Sequence, residues 1–356
     1  MRVLVTLAAV GLAASSAANA QASFATLSHP VESYVVVGDS TPAAPGVGIN
    51  NPLYLPPSTD NNYSGVVNLW LDDLDLNQRF GCTGSLLSNR HILIAAHCVT
   101  TAGAITTDRF TARFRNADGT FTAVTGTRIA VQQNYSGAVL EEQDVAVLTL
   151  DTDAPASARR YTLFQGNPLQ EFTMAGFGRT GTGVTGGINN TANNQFGAVS
   201  VLRAGRNAFE STGRDGGSFA TAANTNAGAF GGMLIADFDR IGASAAGSFV
   251  CGGLGFCNAG LNLESSIGSG DSGGAAFTNT WQVLGVASWG TTVGGIGGLY
   301  ESSFGYACVA NYAPNAACTA NYNFVMAQLV PEPSTYALMA TGMIGLIGIA
   351  RRRRAV

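Results

Sequence analysis

The interior of the chain is made of short apolar runs, none much longer than a strand, set between turns rich in glycine and asparagine. Gly65–Leu71, Ile92–Ala96, Asp144–Leu150, Phe172–Phe177, Gly197–Leu202, Met233–Phe238 and Val283–Trp289 each carry β-branched or aliphatic residues over strand-sized lengths. Helical periodicity is confined to a short stretch around Asn323–Leu329, and no internal repeat of fixed period is visible. With 46 glycines in 356 residues, about twice the usual share, the backbone can turn often and tightly. The pattern predicts an all-β fold, a barrel or a sandwich. A hydrophobic fraction of 46% is enough to build its core.

Charge narrows the function. All 18 basic residues are arginine, and five of them lie at the two ends, Arg2 and Arg351 to Arg354. Residues 21–330 hold 13 Arg against 21 acidic side chains, a net of −8. A nucleic-acid partner needs a basic face, so none is expected.

The ends read as addresses. Arg2, an apolar run from Val3 to Ala14 and the small-residue close Ala18-Asn19-Ala20 form the pattern of a cleavable signal peptide over residues 1–20, which implies export and removal by a signal peptidase. At the other end Val330-Pro331-Glu332-Pro333-Ser334 precedes an uncharged stretch, 335–350, and then Arg351 to Arg354. This order resembles the PEP-CTERM sorting signal, and the resemblance implies a transmembrane helix over 335–350, transient anchoring in the inner membrane and cleavage by an exosortase before the protein reaches the cell surface or the medium. The stretch is shorter than the ~20 residues of a comfortable span. Between the tails, residues 21–62 are proline-rich and read as an extended leader, residues 63–328 as the folded body, and residues 180–232 as long surface loops.

Only three histidines are present, His29, His91 and His97, which restricts proton-transfer chemistry near neutral pH. His97 follows the strand-like Ile92-Leu93-Ile94-Ala95-Ala96 and precedes Cys98, downstream of Gly81-Cys82-Thr83-Gly84-Ser85. A lone histidine is usually structural. A second element, Gln143-Asp144-Val145-Ala146-Val147-Leu148, opens an apolar strand with a carboxylate, the group that can orient an imidazole and stabilise its cation. The third is Gly268-Ser269-Gly270-Asp271-Ser272-Gly273-Gly274, where glycines around Ser272 allow a backbone path that aims two N–H groups at one point.

Together these strings resemble the trypsin/chymotrypsin family of serine endopeptidases, with Ala-Ala-His-Cys, Asp-(apolar)-Ala-(apolar)-Leu and Gly-Asp-Ser-Gly-Gly in the family's order. Ala175-Gly176-Phe177-Gly178 and Ser288-Trp289-Gly290 agree with two further segments of it. The resemblance implies two six-stranded antiparallel barrels packed face to face, with the active site in the cleft. It implies catalytic His97, Asp144 and Ser272, an oxyanion hole at the Gly270 and Ser272 N–H groups, and a protein or peptide substrate held along Ser288, Trp289 and Gly290. The pocket floor falls at Ser266, and an uncharged floor argues against a preference for Arg or Lys. Glu264, two residues away, is the alternative floor. Of the six cysteines, Cys82 with Cys98 matches a bond of the family, while Cys251 with Cys257 and Cys308 with Cys318 pair by proximity alone. Gly268 stands where the family has a further cysteine.

Rival readings fit less well. Gly270-Asp271-Ser272-Gly273-Gly274 also satisfies G-x-S-x-G, but the α/β-hydrolases place their histidine after the serine, and none follows here. A subtilisin order would need Asp72, Asp73 or Asp75 and would leave Asp144 idle. Three histidines without H-E-x-x-H make a poor zinc site, so no metal or cofactor is expected. Asp237 and Asp239 read as a solvated turn rather than a calcium loop. A catalytically silent surface binding protein and an esterase using the same triad are the other functions to be separated. Family zymogens are cut to free an amino terminus that pairs with the aspartate before the nucleophile, here Asp271. Val35-Val36-Val37-Gly38 is the nearest candidate for such a cut, and an internal partner for Asp271 is the alternative.

Overall fold

A computed structural model of the chain describes residues 34–37, 54–138, 141–184, 186–187, 201–209, 211–213, 231–239, 264–290, 292–293, 296–300 and 302–330. Two antiparallel sheets dominate. In the first, the spatial order is Phe121–Gly126, Arg109–Arg115, Val66–Asp73, Gln78–Leu86, His91–Ile94, Ala146–Thr149, Arg128–Val131. Its two outer members are consecutive in the chain and joined by Thr127 alone, so the sheet curls until its edges meet. Counted through that bend, it is a barrel of six strands. The bend is crowded: a β-carbon on Gly126 would stand 2.3 Å from the Phe110 ring and 2.6 Å from the Thr149 carbonyl oxygen.

The second sheet repeats the device. Its order is Arg203–Ala208, Glu171–Gly176, Ala275–Phe277, Gln282–Gly290, Ser303–Cys308, Met233–Asp237, Ser211–Gly213. The outer two are again neighbours in sequence, separated by residues 209–210, which gives six strands once more. Thr162–Leu163 adds to Gln282–Gly290 in parallel. The expectation of two six-stranded barrels is met.

Strand burial follows the pleat. Arg109–Arg115 alternates, with Phe110, Ala112 and Phe114 inward and Arg109, Thr111, Arg113 and Arg115 on the other face. Val66–Asp73 is buried on both faces except at Trp70, because it lies in the middle of its sheet under the second barrel. One hydrophobic cluster runs through both barrels, from Leu69, Ile92 and Leu148 to Phe277, Val286 and Val309. Tyr161 against Phe277, with ring centroids 4.5 Å apart, belongs to the seam. A second cluster, with Phe172, Phe209, Phe304 and Tyr306 stacked or edge-on, fills the second barrel.

The strand expected at Gly197–Leu202 lies mostly outside the described residues, and the strand described after it is Arg203–Ala208, whose small residues face Glu171–Gly176 in register. Pairing with a central strand overrides its weak apolar signal. The short helix at Asn323–Leu329 begins earlier, at Ala316, capped by the Asn315 side chain, which accepts from the Cys318 N–H at 3.0 Å. Its buried face carries Cys318, Asn321 and Val325, and the polar Asn321, which donates to the Glu142 and Cys308 carbonyls, hides the apolar period. Asp237 and Asp239 are not solvated: each is 2% exposed, and the Asp239 N–H donates to Glu264.

Residues 34–37 form a strand parallel to Arg179–Thr182 and antiparallel to Ser265–Ile267, within the region first read as leader and loop. The 1–20 segment, His29, Cys251, Cys257 and the apolar 335–350 stretch lie outside the described residues. Among the described residues no helix is long and apolar enough to cross a membrane.

Candidate active site

His97 sits in a single helical turn, Ala96–Cys98, at the end of the buried His91–Ile94 strand. The Cys82–Cys98 disulfide ties that turn to the neighbouring Gln78–Leu86 strand. Cys308–Cys318 fastens the terminal helix to the second barrel. Asp144, 3% exposed, stands just ahead of Ala146–Thr149, which pairs with His91–Ile94 and so brings the carboxylate beside the imidazole. Asp144 Oδ1 accepts the His97 backbone N–H at 2.8 Å, and Oδ2 lies 2.7 Å from His97 Nδ1. A third donor is the Ser288 hydroxyl, 2.6 Å from Oδ2.

These contacts set the state of the ring. Asp144 presents only acceptors to Nδ1, so the proton resides on Nδ1 and Nε2 turns its lone pair outward. Burial pulls the His97 pKa down, but the Asp144 charge and hydrogen bond outweigh it and leave the imidazole above its ordinary 6.5. The side chain remains 34% exposed, open to an incoming molecule.

Ser272 lies on a turn shaped by glycine. Gly270 has φ +87° and Gly273 φ +83°, the left-handed region. A β-carbon on Gly273 would stand 2.4 Å from the Thr83 carbonyl oxygen and 2.5 Å from the Ile94 side chain, so only glycine lets the turn rest on the first barrel beside Ala95. Thr83 holds the turn from below. Its N–H donates to the Ser272 carbonyl at 2.9 Å, its hydroxyl donates to the Gly270 carbonyl at 2.7 Å, and its Oγ1 accepts the Phe177 N–H at 3.1 Å. The carbonyls of Gly270 and Ser272 are thus turned inward. The Gly270 and Ser272 N–H groups have no acceptor among the described residues. Two unpaired donors on one turn beside an imidazole can stabilise a developing oxyanion. The Ser272 hydroxyl itself makes no hydrogen bond to another described residue.

Residues 66–259 match the sequence profile of the Trypsin family. The chain belongs to the trypsin family. The matched span contains His97 and Asp144, and the Ser272 turn lies beyond its end. Residues 329–354 match the PEP-CTERM protein-sorting motif. No curated protein matches the sequence. Among solved structures, HL collagenase superposes with a TM-score of 0.50 at 18% identity, over 78% of this chain and 98% of that one. Neuropsin, a serine protease expressed in the limbic system of mouse brain, gives 0.46 at 15% identity, over 77% of this chain and 96% of that one. The first of these supports the two-barrel trypsin fold.

Ser288, Trp289 and Gly290 end the Gln282–Gly290 strand, and Trp289 pairs with Gly305. The Ser288 hydroxyl is committed to Asp144, which leaves only its backbone for a substrate. Gly290 is open: a β-carbon there would meet nothing nearer than Phe304 Cβ at 3.9 Å. Ser266 is 2% exposed in the Ser265–Ile267 strand, and its hydroxyl donates to the Ile267 carbonyl. Glu264, 3% exposed, is taken up by the Asp239 N–H at 2.6 Å. Among the described residues no cluster of His, Cys, Asp or Glu is arranged to hold a metal. Thr83 escaped the sequence, because its partners Phe177 and Gly270 lie 94 and 187 positions further along the chain.

Proposed function

We propose that the chain is an exported serine endopeptidase in which Ser272 attacks a peptide carbonyl, His97 carries the proton and Asp144 orients His97. The observation that carries this reading is the Asp144–His97 pair together with a glycine-shaped turn whose Gly270 and Ser272 N–H groups have no acceptor among the described residues. Membership of the trypsin family supports it.

In the first step the Ser272 hydroxyl proton passes to His97 Nε2 as Oγ bonds to the carbonyl carbon, and the carbonyl oxygen becomes an anion facing the two N–H groups. His97 then returns the proton to the leaving amine, giving an acyl-enzyme. Water attacks the ester by the same route, and its proton returns to Ser272. The three donors on Asp144 hold its carboxylate in place against the imidazole. An uncharged Ser266 and the open face of Gly290 favour an apolar or small side chain ahead of the cleaved bond. The signal-like amino terminus and the sorting motif support export, and processing by an exosortase.

Hydrolysis of a mixed peptide library by the full chain tests the reading. Cleavage after apolar or small residues, abolished in Ser272→Ala, is expected. Equal cleavage by Ser272→Ala, or cleavage confined to bonds after Arg or Lys, contradicts the mechanism or the pocket assignment respectively.

A further inference from the structure

Arg113, Asn68 and Thr83 stand side by side on three neighbouring strands of the first barrel, in direct register. Their side chains share the face turned away from the barrel core, opposite Phe110, Ala112 and Phe114. Thr83 is the residue that holds the Gly270 carbonyl of the Ser272 turn. Strands lie ~5 Å apart, so Arg113 stands about 10 Å along this row from that anchor.

Aromatic rings fill the distance. The Phe177 N–H is on Thr83 Oγ1, and the Phe177 ring meets Phe121 edge-on with centroids 5.9 Å apart. The Arg113 guanidinium then packs over two rings, 4.4 Å from the Phe121 centroid and 4.3 Å from that of Trp70. Cation–π contacts of this kind hold a guanidinium in place without neutralising it. Trp70, Arg113, Phe121 and Phe177 are all partly exposed, so the row is open to a molecule lying across it.

The other arginines of this face are committed. Arg79 and Arg109 share the Asp72 carboxylate, and Arg115 donates to the Pro56 carbonyl. Arg113 has no such partner among the described residues: Nη1 is shut off from solvent with no acceptor. Burial alone lowers its pKa, and no carboxylate opposes that shift. The Asp118 carboxylate, in the hairpin that follows Arg109–Arg115, is taken by the Thr120 N–H and hydroxyl. A planar guanidinium fixed on aromatic faces and short of acceptors is suited to a carboxylate, which can engage two of its N–H groups at once. Residues 21–330 carry a net charge of −8, so an unpaired cation here is not the average of the surface.

We propose that Arg113, with Trp70 and Phe121, is a specificity site for an acidic side chain of the substrate in the segment beyond the cleaved bond. The half of the substrate ahead of that bond is assigned to Ser288, Trp289 and Gly290 on the second barrel, which leaves the Thr83 side of the turn to the half that departs. A span of about 10 Å corresponds to about three residues of extended peptide. The inference rests on the peptidase reading of Ser272 and names its substrate class: peptides with Asp or Glu at about the third position after the cut.

The test is steady-state hydrolysis by the full chain of peptides with amidated carboxyl termini and an apolar residue ahead of the cleaved bond. They carry Glu or Gln at the third position after that bond, or Glu at the third position before it. Wild type should show a KM at least fivefold lower for Glu after the bond than for Gln there, and no such gain for Glu before it. In Arg113→Gln the ratio between the Glu and Gln peptides should fall to within about twofold of one, and Arg113→Lys, which keeps the charge and loses the planar fork, should fall between. Thermal melting reports folding for each variant. Equal KM for the Glu and Gln peptides in wild type, an equal gain from Glu on either side of the bond, or a wild-type ratio in folded Arg113→Gln overturns the proposal and leaves the peptidase reading standing. So does a preference that appears only when the carboxyl terminus is left free. Cleavage of none of the peptides removes the peptidase reading and this inference with it. Should Arg113→Gln not fold, the position of the favoured Glu in wild type and the ratio for Arg113→Lys decide.

Discussion

The Thr83 hydroxyl donates to the Gly270 carbonyl at 2.7 Å, joining a strand of the first barrel to the turn that carries Ser272, 187 positions apart. With the Thr83 N–H on the Ser272 carbonyl, this bond fixes the peptide planes on either side of the one that carries the Ser272 N–H. The turn is thus braced from the opposite barrel by one residue.

Replacement of Thr83 by valine keeps the shape and removes the hydroxyl. It leaves the buried Gly270 carbonyl and Phe177 N–H without that partner, a loss of about 1–3 kcal/mol each. The expected result is a lower melting temperature and a fall in kcat larger than any change in KM, read by thermal denaturation and steady-state hydrolysis. A kcat equal to that of wild type would mean the turn holds its form unaided.

The acid limb of kcat/KM should lie above pH 6.5, because Asp144 raises the His97 pKa despite burial. Activity requires the neutral ring, so the rate falls as pH drops through that raised value. Asp144→Asn removes the charge, moves the limb downward and lowers kcat by about 10⁴. A pH–rate profile of both proteins checks the sign.

Asp271 carries the opposite test, one of stability. Its folded pKa, pushed by burial up to about 8, exceeds the ordinary 3.8, so its contribution is fully present below pH 3.8 and is lost as pH rises toward 8. The stability of wild type relative to Asp271→Asn should therefore shrink between pH 4 and pH 8. Denaturant melts at three or four pH values measure it.

How much of this was readable beforehand differs by residue. His97, Asp144 and Ser272 each sit in a local string whose chemistry shows without a structure, and the strand lengths around them predict the β-barrels. Thr83 carries no local mark, since it matters only through hydrogen bonds to a distant turn. The strand Arg203–Ala208 carries no signal of its own for the same reason: it is held by its partner Glu171–Gly176, not by its own composition. Asp237 and Asp239 looked solvated because charge alone does not reveal a backbone N–H supplied or accepted from another segment.

Gly290 offers a test of the cleft that leaves the fold alone. Because a β-carbon there meets nothing closer than 3.9 Å, Gly290→Val should keep the wild-type melting temperature. It should raise KM for substrates with a large side chain ahead of the cleaved bond more than for those with alanine there. Equal effects on both would place Gly290 outside the substrate pocket.

The central claim, an activated Ser272, is tested most directly by mapping the adduct after treating the full chain with a fluorophosphonate. One phosphonyl group on Ser272, absent when His97 is replaced by alanine, is the predicted result. An adduct on another serine, or labelling of Ser272 unaffected by loss of His97, would contradict the account.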